Sequence, residues 1–565
     1  MAVVVVGCVS AGRGDQSRTG EWGLISALPW LYFASVAALT VSFFLELRRD
    51  SRRALALGLH LVGLVVLLYG APGFLEAEPR FATAWLHAGF TDQILDNGVS
   101  RPEVDARFNW PGFFGAAAAV TGAGGLTSPL PLLRWAPVVM VLLYLPPLYV
   151  IGRQLTGSLT ATWLGLWLFL PVNWVGQDYF APQSLGFVLY LGAIAITVVF
   201  FRQGGQLPLG RPLSALRDRL TFDGLPDVAT TPRTRVALVA LLVLLAAALA
   251  VSHQLSPIAF VVTSLALVVV GRSRLLVFPL IAGVVALGWI SVGTTAYWIG
   301  HIDTLFGGVG DVGSVVGGVG KRVGGSPVHL TLVKLRVAFT VAVWSLMSVS
   351  VVVLWIRRHP PLTLVTLAVA PFVLTVQSYG SEGPLRIFLF SSPFACLIIA
   401  QALAAYRGRR AVQVTVLAGA LTLLPLFLVM RYGNESFEQV SPREIEAMRM
   451  LYRSAPLGSN FVSPTSQVPW RFQSAADYRY TRPVSGQEFL DGKTEGVRPL
   501  ISNEAERAPR TYLIVTRSQR IYAREALGQP RGWFESVKPL LNGPNGYRLI
   551  YRNADALIYS YQAPS

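Results

Sequence analysis

Apolar residues along this chain gather into long unbroken runs, and the charged residues fall between them. Twelve runs come close to the roughly 20 apolar residues that a helix needs to cross a bilayer. They cover 24–47, 54–72, 128–152, 157–175, 183–201, 235–252, 256–271, 275–298, 333–356, 361–378, 385–405 and 411–430. Interior prolines such as Pro146 and Pro147 fit this reading, because neighbouring helices re-satisfy the freed backbone groups. The pattern predicts a polytopic α-helical membrane protein of about 12 transmembrane helices, with the bundle over 24–430. Residues 1–23 hold only a short apolar run at Val3, Val4, Val5 and Val6 and lack the basic start of a signal peptide. The native start is therefore expected upstream.

Three polar segments interrupt the runs, at 73–127, 299–332 and 431–565. The first has helix-like pieces at 79–97 and 110–122. The second contains a Gly-rich stretch, 307–325, that suits a mobile linker or a loop closing over substrate. The third turns soluble in composition. Ser441-Pro442-Arg443-Glu444 reads as an N-cap, a Pro at N1 and an acid in the first turn, opening a helix through Tyr452. Thr511–Thr516 reads as a buried strand, and 548–551 with 556–561 as a hairpin about Asn553-Ala554-Asp555. This predicts a small α/β domain over 431–565. No nucleophile elbow, P-loop or Rossmann fingerprint lies in it, and no internal repeat supports a repeat-built transporter.

Charge gives the runs a direction. Arg48, Arg49, Arg52 and Arg53 follow the first run and Arg153 the third. Arg202, Arg211, Arg217, Arg219, Arg233 and Arg235 lie between the fifth and sixth. Arg272, Arg274, Arg357, Arg358, Arg407, Arg409 and Arg410 follow the seventh, ninth and eleventh. Strict alternation puts all of them on one side, and the positive-inside rule makes that side the cytoplasm. Both termini, and the three polar segments, are then extracytoplasmic.

Composition agrees. Of 565 residues, 53% are hydrophobic and 14% charged, against about 25% charged in soluble domains. The net charge is +17, and 43 of the 47 basic residues are Arg. They flank apolar runs and form no aromatic-interleaved basic face, so nucleic-acid binding is excluded. Two cysteines, Cys8 and Cys396, make no disulfide framework, and no Cys/His pair has zinc spacing.

Ionisable groups beside hydrocarbon carry a functional hypothesis by default. Glu103-Val104-Asp105 is followed by Arg107, and Glu76-Ala77-Glu78 by Arg80. Such acids suit a general base toward an acceptor hydroxyl, or ligation of a divalent cation, as well as a solvated surface. His87, Asp178 and His253 mark outer ends of spans or outer helices, where a lone group often serves only structure. Glu382 and Arg386 sit at i, i+4 spacing, either as a simple ion pair or with Arg386 as a phosphate ligand.

The acidic first outer loop, Trp110-Pro111-Gly112-Phe113-Phe114, the stretch from Gln177 to Gln183 (QDYFAPQ), Ser252 to Pro257 (SHQLSP) and Ser381 to Phe390 (SEGPLRIFLF) carry a resemblance. With the trailing α/β segment, they make most of 54–565 resemble the GT-C superfamily of membrane glycosyltransferases, actinobacterial members in particular. The resemblance implies transfer of a sugar from a polyprenyl-phosphate carrier to a glycan, lipid or protein acceptor of the cell envelope, at the outer face. Family catalytic carboxylates sit in the first outer loop, matching Glu76, Glu78, Glu103 and Asp105. The expected roles are Asp105 as base, with Glu103 as its alternate or as partner to a divalent cation. Arg386 and Arg107 are expected on the lipid phosphate, and His87, Asp178 and His253 on sugar or phosphate. Two features depart from the family. Thr83 and Ala84 stand before Trp85-Leu86-His87 where the family carries an acid, and a span precedes residue 54. A polysaccharide polymerase or ligase and a lipid or glycan transporter are the competing readings.

Overall fold

The computed structural model describes residues 1–49, 54–203, 211–222, 224–298, 325–376, 383–481, 508–541 and 547–561. Every one of the twelve apolar runs contains a helix. Eight of these are long and apolar enough to cross a membrane: Trp30–Arg48, Ala54–Leu75, Ala136–Thr156, Pro182–Phe200, Pro232–Ser252, Pro327–Ile356, Gly383–Ala404 and Arg410–Tyr432. The other four runs form shorter apolar helices, Leu159–Val172, Ser256–Val269, Phe278–Gly293 and Leu362–Leu374. Fourteen residues rise only about 21 Å, short of the roughly 30 Å hydrocarbon core. Leu159–Val172 is nonetheless buried along nearly its whole length, packed against Gly383–Ala404.

Gly383–Ala404 is the axis of the bundle, with 89% of its apolar window buried. Pro232–Ser252 and Arg410–Tyr432 are at the rim, with 22% buried. A helix apolar on all sides yet exposed in the protein has lipid as its remaining solvent.

The first residues hold more structure than their sequence suggested. Ala2–Gly12 is a helix packed against Trp30–Arg48 and Ala54–Leu75. Gly7 meets Leu67 and Ser35, and Gly63 meets Val4, so small residues let the helices approach closely. Four adjacent valines are weak helix formers, and eleven residues are too few for a span. Tertiary packing supplies the rest.

Beyond the last span, helix Pro442–Ser454 opens with the expected cap. Ser441 accepts from the Glu444 amide, and Glu444 accepts from that of Ser441. The strands β1 (Asn460–Val462), β2 (Arg479–Thr481), β3 (Thr511–Thr516), β4 (Tyr547–Arg552) and β5 (Ala556–Tyr561) form one sheet in the order β2-β1-β3-β5-β4. β2, β1 and β3 run parallel, and β5 pairs antiparallel with β3 and β4. β3 is buried throughout. Its alternation sends Tyr512 and Ile514 to one core, and Leu513 and Val515 to a second core with Trp533, Phe534 and Val537.

The first of those cores joins two distant parts of the chain. Trp85, Phe90, Phe108, Phe113 and Phe114, from the first polar segment, pack with Met448, Phe461, Trp470, Phe472 and Ile558. The helices that build this segment, Ala82–Asn97 and Gly112–Ala123, match the two pieces expected from sequence. Gly89 is where helix Ala82–Asn97 meets the chain at Arg471: a Cβ there would lie 1.5 Å from the Arg471 carbonyl oxygen.

Candidate active site

The site begins where span Ala54–Leu75 ends. The next residues are fixed by the side chain of Arg134, which donates to the carbonyls of Gly73 (2.8 Å) and Glu76 (2.7 Å) and to that of Ala77. Arg80 then bridges Glu435 (2.6 Å) and Glu438 (2.5 Å) on the single helical turn after the last span. The Phe81 amide donates to the Glu438 carbonyl at 2.9 Å. Phe81 is held at φ 77°, in a region that a non-Gly residue occupies only when its surroundings demand it. Its ring stacks on Tyr179, with centroids 4.8 Å apart.

These ties enclose a hollow of about 20 Å³, lined by Glu76, Glu78, Arg80, Arg134, Tyr179 and Arg431 among others. Glu76 is buried. Burial, and next the charge of Glu435, raise its pKa well above the usual carboxylate range, so the protonated form is favoured. Glu78 is partly exposed. Its pKa is raised by burial against the opposing pull of Arg449 and Arg134, which makes it a stronger base than a free carboxylate.

Behind the hollow, Arg431 donates to Asp178 at 2.5 Å, each side chain 1% exposed. The Arg431 guanidinium lies over the Tyr69 ring at 4.6 Å. Asp178 lies in the turn between Leu159–Val172 and Pro182–Phe200 and neutralises a buried cation contributed 253 residues later.

His87 is close by. Its Nδ1 lies 2.9 Å from the Phe180 carbonyl oxygen, and its ring is parallel to Tyr179 at 5.8 Å. A carbonyl only accepts, so Nδ1 carries the proton and Nε2 the lone pair. Burial, then the charge of Arg107, pushes its pKa down to about 3, and the ring is neutral.

Asp105 stands in a different group. It accepts from the Arg107 amide (3.0 Å), from Arg107 Nε and Nη2 (2.8 Å each) and from Arg471 Nη1 (2.5 Å). Burial would raise its pKa; the hydrogen bonds and charge of Arg107, with the charge of Arg471, outweigh that and hold it well below the carboxylate range. A carboxylate held this way is a weak base. It is suited to a clamp between the first polar segment and the terminal sheet, and this geometry counts against the role expected from sequence. Glu103 is exposed. Arg107 is committed to Asp105 rather than turned to an open pocket.

His253 and Arg386 form a third group. The Ser256 amide donates to His253 Nδ1 at 3.2 Å and Ser256 Oγ lies 2.9 Å from it, so His253 closes the start of helix Ser256–Val269. Arg386 is buried on Gly383–Ala404, within electrostatic reach of His253. Glu382 and most of 307–325 lie outside the described residues. Asp105 thus pairs with Arg107 and Arg471, Asp178 with Arg431, and His253 lies within electrostatic reach of Arg386.

Sequence reasoning missed Arg134, Arg431, Glu435, Glu438 and Arg471. One signal existed: Arg134 and Arg431 lie at the span ends opposite the arginine-rich side, where a cation needs a partner. Among the described residues, no three His, Cys, Asp or Glu side chains converge on a point that could hold a metal ion. Glu435 and Glu438 are occupied by Arg80.

No protein-family model matches the chain, and no curated protein matches it in sequence. Solved structures do match in fold. ArnT from Cupriavidus metallidurans, solved bound to undecaprenyl phosphate, superposes with a TM-score of 0.52 over 90% of this chain and 98% of that one, at 11% identity. The oligosaccharyltransferase AglB from Archaeoglobus fulgidus, in complex with an inhibitory peptide and a dolichol-phosphate, gives a TM-score of 0.50 over 94% of this chain and 75% of that one, at 12% identity. Both are GT-C glycosyltransferases. The fold is GT-C. At such identities the likeness is one of architecture.

Proposed function

We propose that the chain is a membrane glycosyltransferase that moves a sugar from a polyprenyl-phosphate carrier onto a cell-envelope acceptor at the outer face. One observation carries this reading. At the end of Ala54–Leu75, within a GT-C fold, a carboxylate with raised pKa lines a hollow together with three guanidinium groups. Two solved proteins of that fold hold polyprenyl phosphates. The arginine distribution along the chain supports an outer placement of this end.

In the proposed reaction Glu78 takes the proton of an acceptor hydroxyl. The acceptor oxygen forms a bond to the anomeric carbon. The bond from that carbon to the phosphate oxygen breaks, and its electron pair leaves with the carrier phosphate. Arg134 and Arg431, fixed by their carbonyl and Asp178 contacts, stabilise the growing negative charge. Arg386 is the further candidate for the lipid phosphate. His87, neutral and with a free acceptor nitrogen, positions a sugar hydroxyl. Asp105 holds the loop to the sheet, and the chemical role expected of it from sequence passes to Glu78.

The test is sugar transfer in membranes carrying the full chain and a labelled lipid-linked sugar. Glu78→Gln should lower turnover by about 10²–10⁴-fold, the range for a positioned base, with protein abundance unchanged. Equal turnover in Glu78→Gln and wild type would remove Glu78 from the chemistry.

A further inference from the structure

The opposite end of the bundle contains a larger cavity that the proposed reaction does not use. Helix Ala136–Thr156 connects the two: Arg134 precedes its start at the hollow, and Arg153 lies near its end, about 30 Å away at 1.5 Å per residue. The second cavity has a volume of about 690 Å³ and is lined by Arg153, Arg357, Arg407, His359, Thr160 and Gln401 among others, with no described carboxylate in its wall.

The three guanidinium groups touch only neutral partners among the described residues. Arg153 donates to the Gly157 carbonyl (3.0 Å), Arg407 to Thr160 Oγ1 (3.2 Å), and Arg357 to the Ala405 carbonyl (3.5 Å) while lying over the Tyr406 ring. Arg153 is half-buried and Arg357 and Arg407 are exposed, so their positive field is open to an anion arriving from outside. A fork of N–H donors matches phosphate best. Gln401 adds a second, independent observation. Its side chain is 8% exposed and its Oε1 accepts no hydrogen bond, a costly state for a buried acceptor. It calls for a donor, such as a hydroxyl, on the same ligand.

Next to the cavity lies an apolar groove of about 280 Å³, with Thr160, Ala404 and Arg407 in the walls of both. Val41, Phe44, Leu45, Leu164 and Val416 line the groove, and Leu45 is 54% exposed on its lip. A guanidinium-lined pocket beside an apolar groove at the surface of an apolar helix bundle suits a lipid, headgroup in one and chain in the other.

We propose that this cavity binds an anionic phospholipid with a hydroxyl-bearing headgroup. Arg153, Arg357 and Arg407 hold the phosphate, Gln401 accepts from the headgroup hydroxyl, and one acyl chain lies in the groove. The site is separate from the proposed reaction centre and independent of it.

The experiment uses the full chain in detergent and in nanodiscs. Lipid binding is read by native mass spectrometry and by the shift in thermal unfolding. Phosphatidylglycerol, phosphatidylcholine, undecaprenyl phosphate and inorganic phosphate are compared. Phosphatidylglycerol should bind at least tenfold more tightly than phosphatidylcholine, and Arg357→Gln with Arg407→Gln should remove that preference. The corresponding Lys variants should retain part of it and serve if the Gln pair fails to fold. Leu45→Trp, which fills the groove without changing charge, should weaken phosphatidylglycerol alone. Equal binding of phosphatidylglycerol and phosphatidylcholine, or an undiminished preference in both the Arg and Leu45 variants, would overturn the proposal. So would inorganic phosphate reproducing the shift, which would indicate a free-anion site, or a clear preference for undecaprenyl phosphate, which would indicate a carrier site.

Discussion

The two ends of the bundle handle arginine in opposite ways. At the end bearing the hollow, Arg134 meets only carbonyls among the described residues, but other guanidinium groups are matched to carboxylates: Arg80 to Glu435 and Glu438, Arg431 to Asp178, and Arg107 and Arg471 to Asp105. At the other end Arg202 and Arg274 share Asp227, but Arg153, Arg357 and Arg407 meet only carbonyls, a hydroxyl and an aromatic face. Matched charges lock distant segments together and present a preset field. Unmatched charges beside a cavity leave a demand for an outside anion. The difference sets the proposed reaction centre apart from the proposed lipid site.

That contrast is broken most sharply at Asp178. Asp178→Ala strands a fully buried Arg431, and loss of one partner of a buried pair costs about 3–5 kcal/mol. Thermal unfolding of the purified protein should show it, and replacing both residues by apolar ones should recover most of the loss. A merely additive double variant would mean the pair is not the coupled unit described here.

Asp105→Asn should cost less, about 1.5–3 kcal/mol, the worth of hydrogen bonds to a charged group. It should also change the acid limb. The folded pKa of Asp105 is depressed, so its contribution is present above the unfolded carboxylate range and is lost as pH falls through the folded value. The Asn variant should be flatter below about pH 4. An unchanged acid limb would show that the clamp to Arg471 is not formed in solution.

His87 gives an effect confined to a distinct pH window. Its folded pKa of about 3 lies below the ordinary 6.5, so the unfolded chain binds the extra proton and stability rises with pH between those values. The slope approaches about 1.4 kcal/mol per pH unit. His87→Gln should remove that slope between pH 4 and 6 in a pH series of unfolding midpoints; a slope kept intact would mean the ring is solvated. The smallest effect belongs to Glu103. Exposed on the loop, Glu103→Gln should shift stability by no more than about 0.5 kcal/mol and leave transfer at the wild-type rate, in contrast to Glu78→Gln.

Much of the frame was legible in sequence because its signals are local. The apolar runs gave a helix each, Ser441 and Glu444 formed the cap their spacing announced, and the buried run Thr511–Thr516 and the hairpin to Tyr561 became β3, β4 and β5. Helix Ala2–Gly12 escaped because its stability comes from neighbours rather than from its valines. The site was half legible. An acidic loop next to a span pointed to the segment that holds the proposed base, yet Glu103-Val104-Asp105 and Glu76-Ala77-Glu78 read alike as strings of letters.

Only tertiary structure told those two pairs apart. Arg471, 366 residues away, turns Asp105 into a clamp, while burial at the end of Ala54–Leu75 leaves Glu78 with raised basicity beside three guanidinium groups. Sequence by itself determined the helices of the apolar runs, the arginine distribution and strands β3, β4 and β5, since hydrophobic period, capping and charge bias act over a few residues. The protonation state and partner of each buried acid depend on what distant segments bring within a few ångströms, because both burial and Coulomb interaction act through space rather than along the chain.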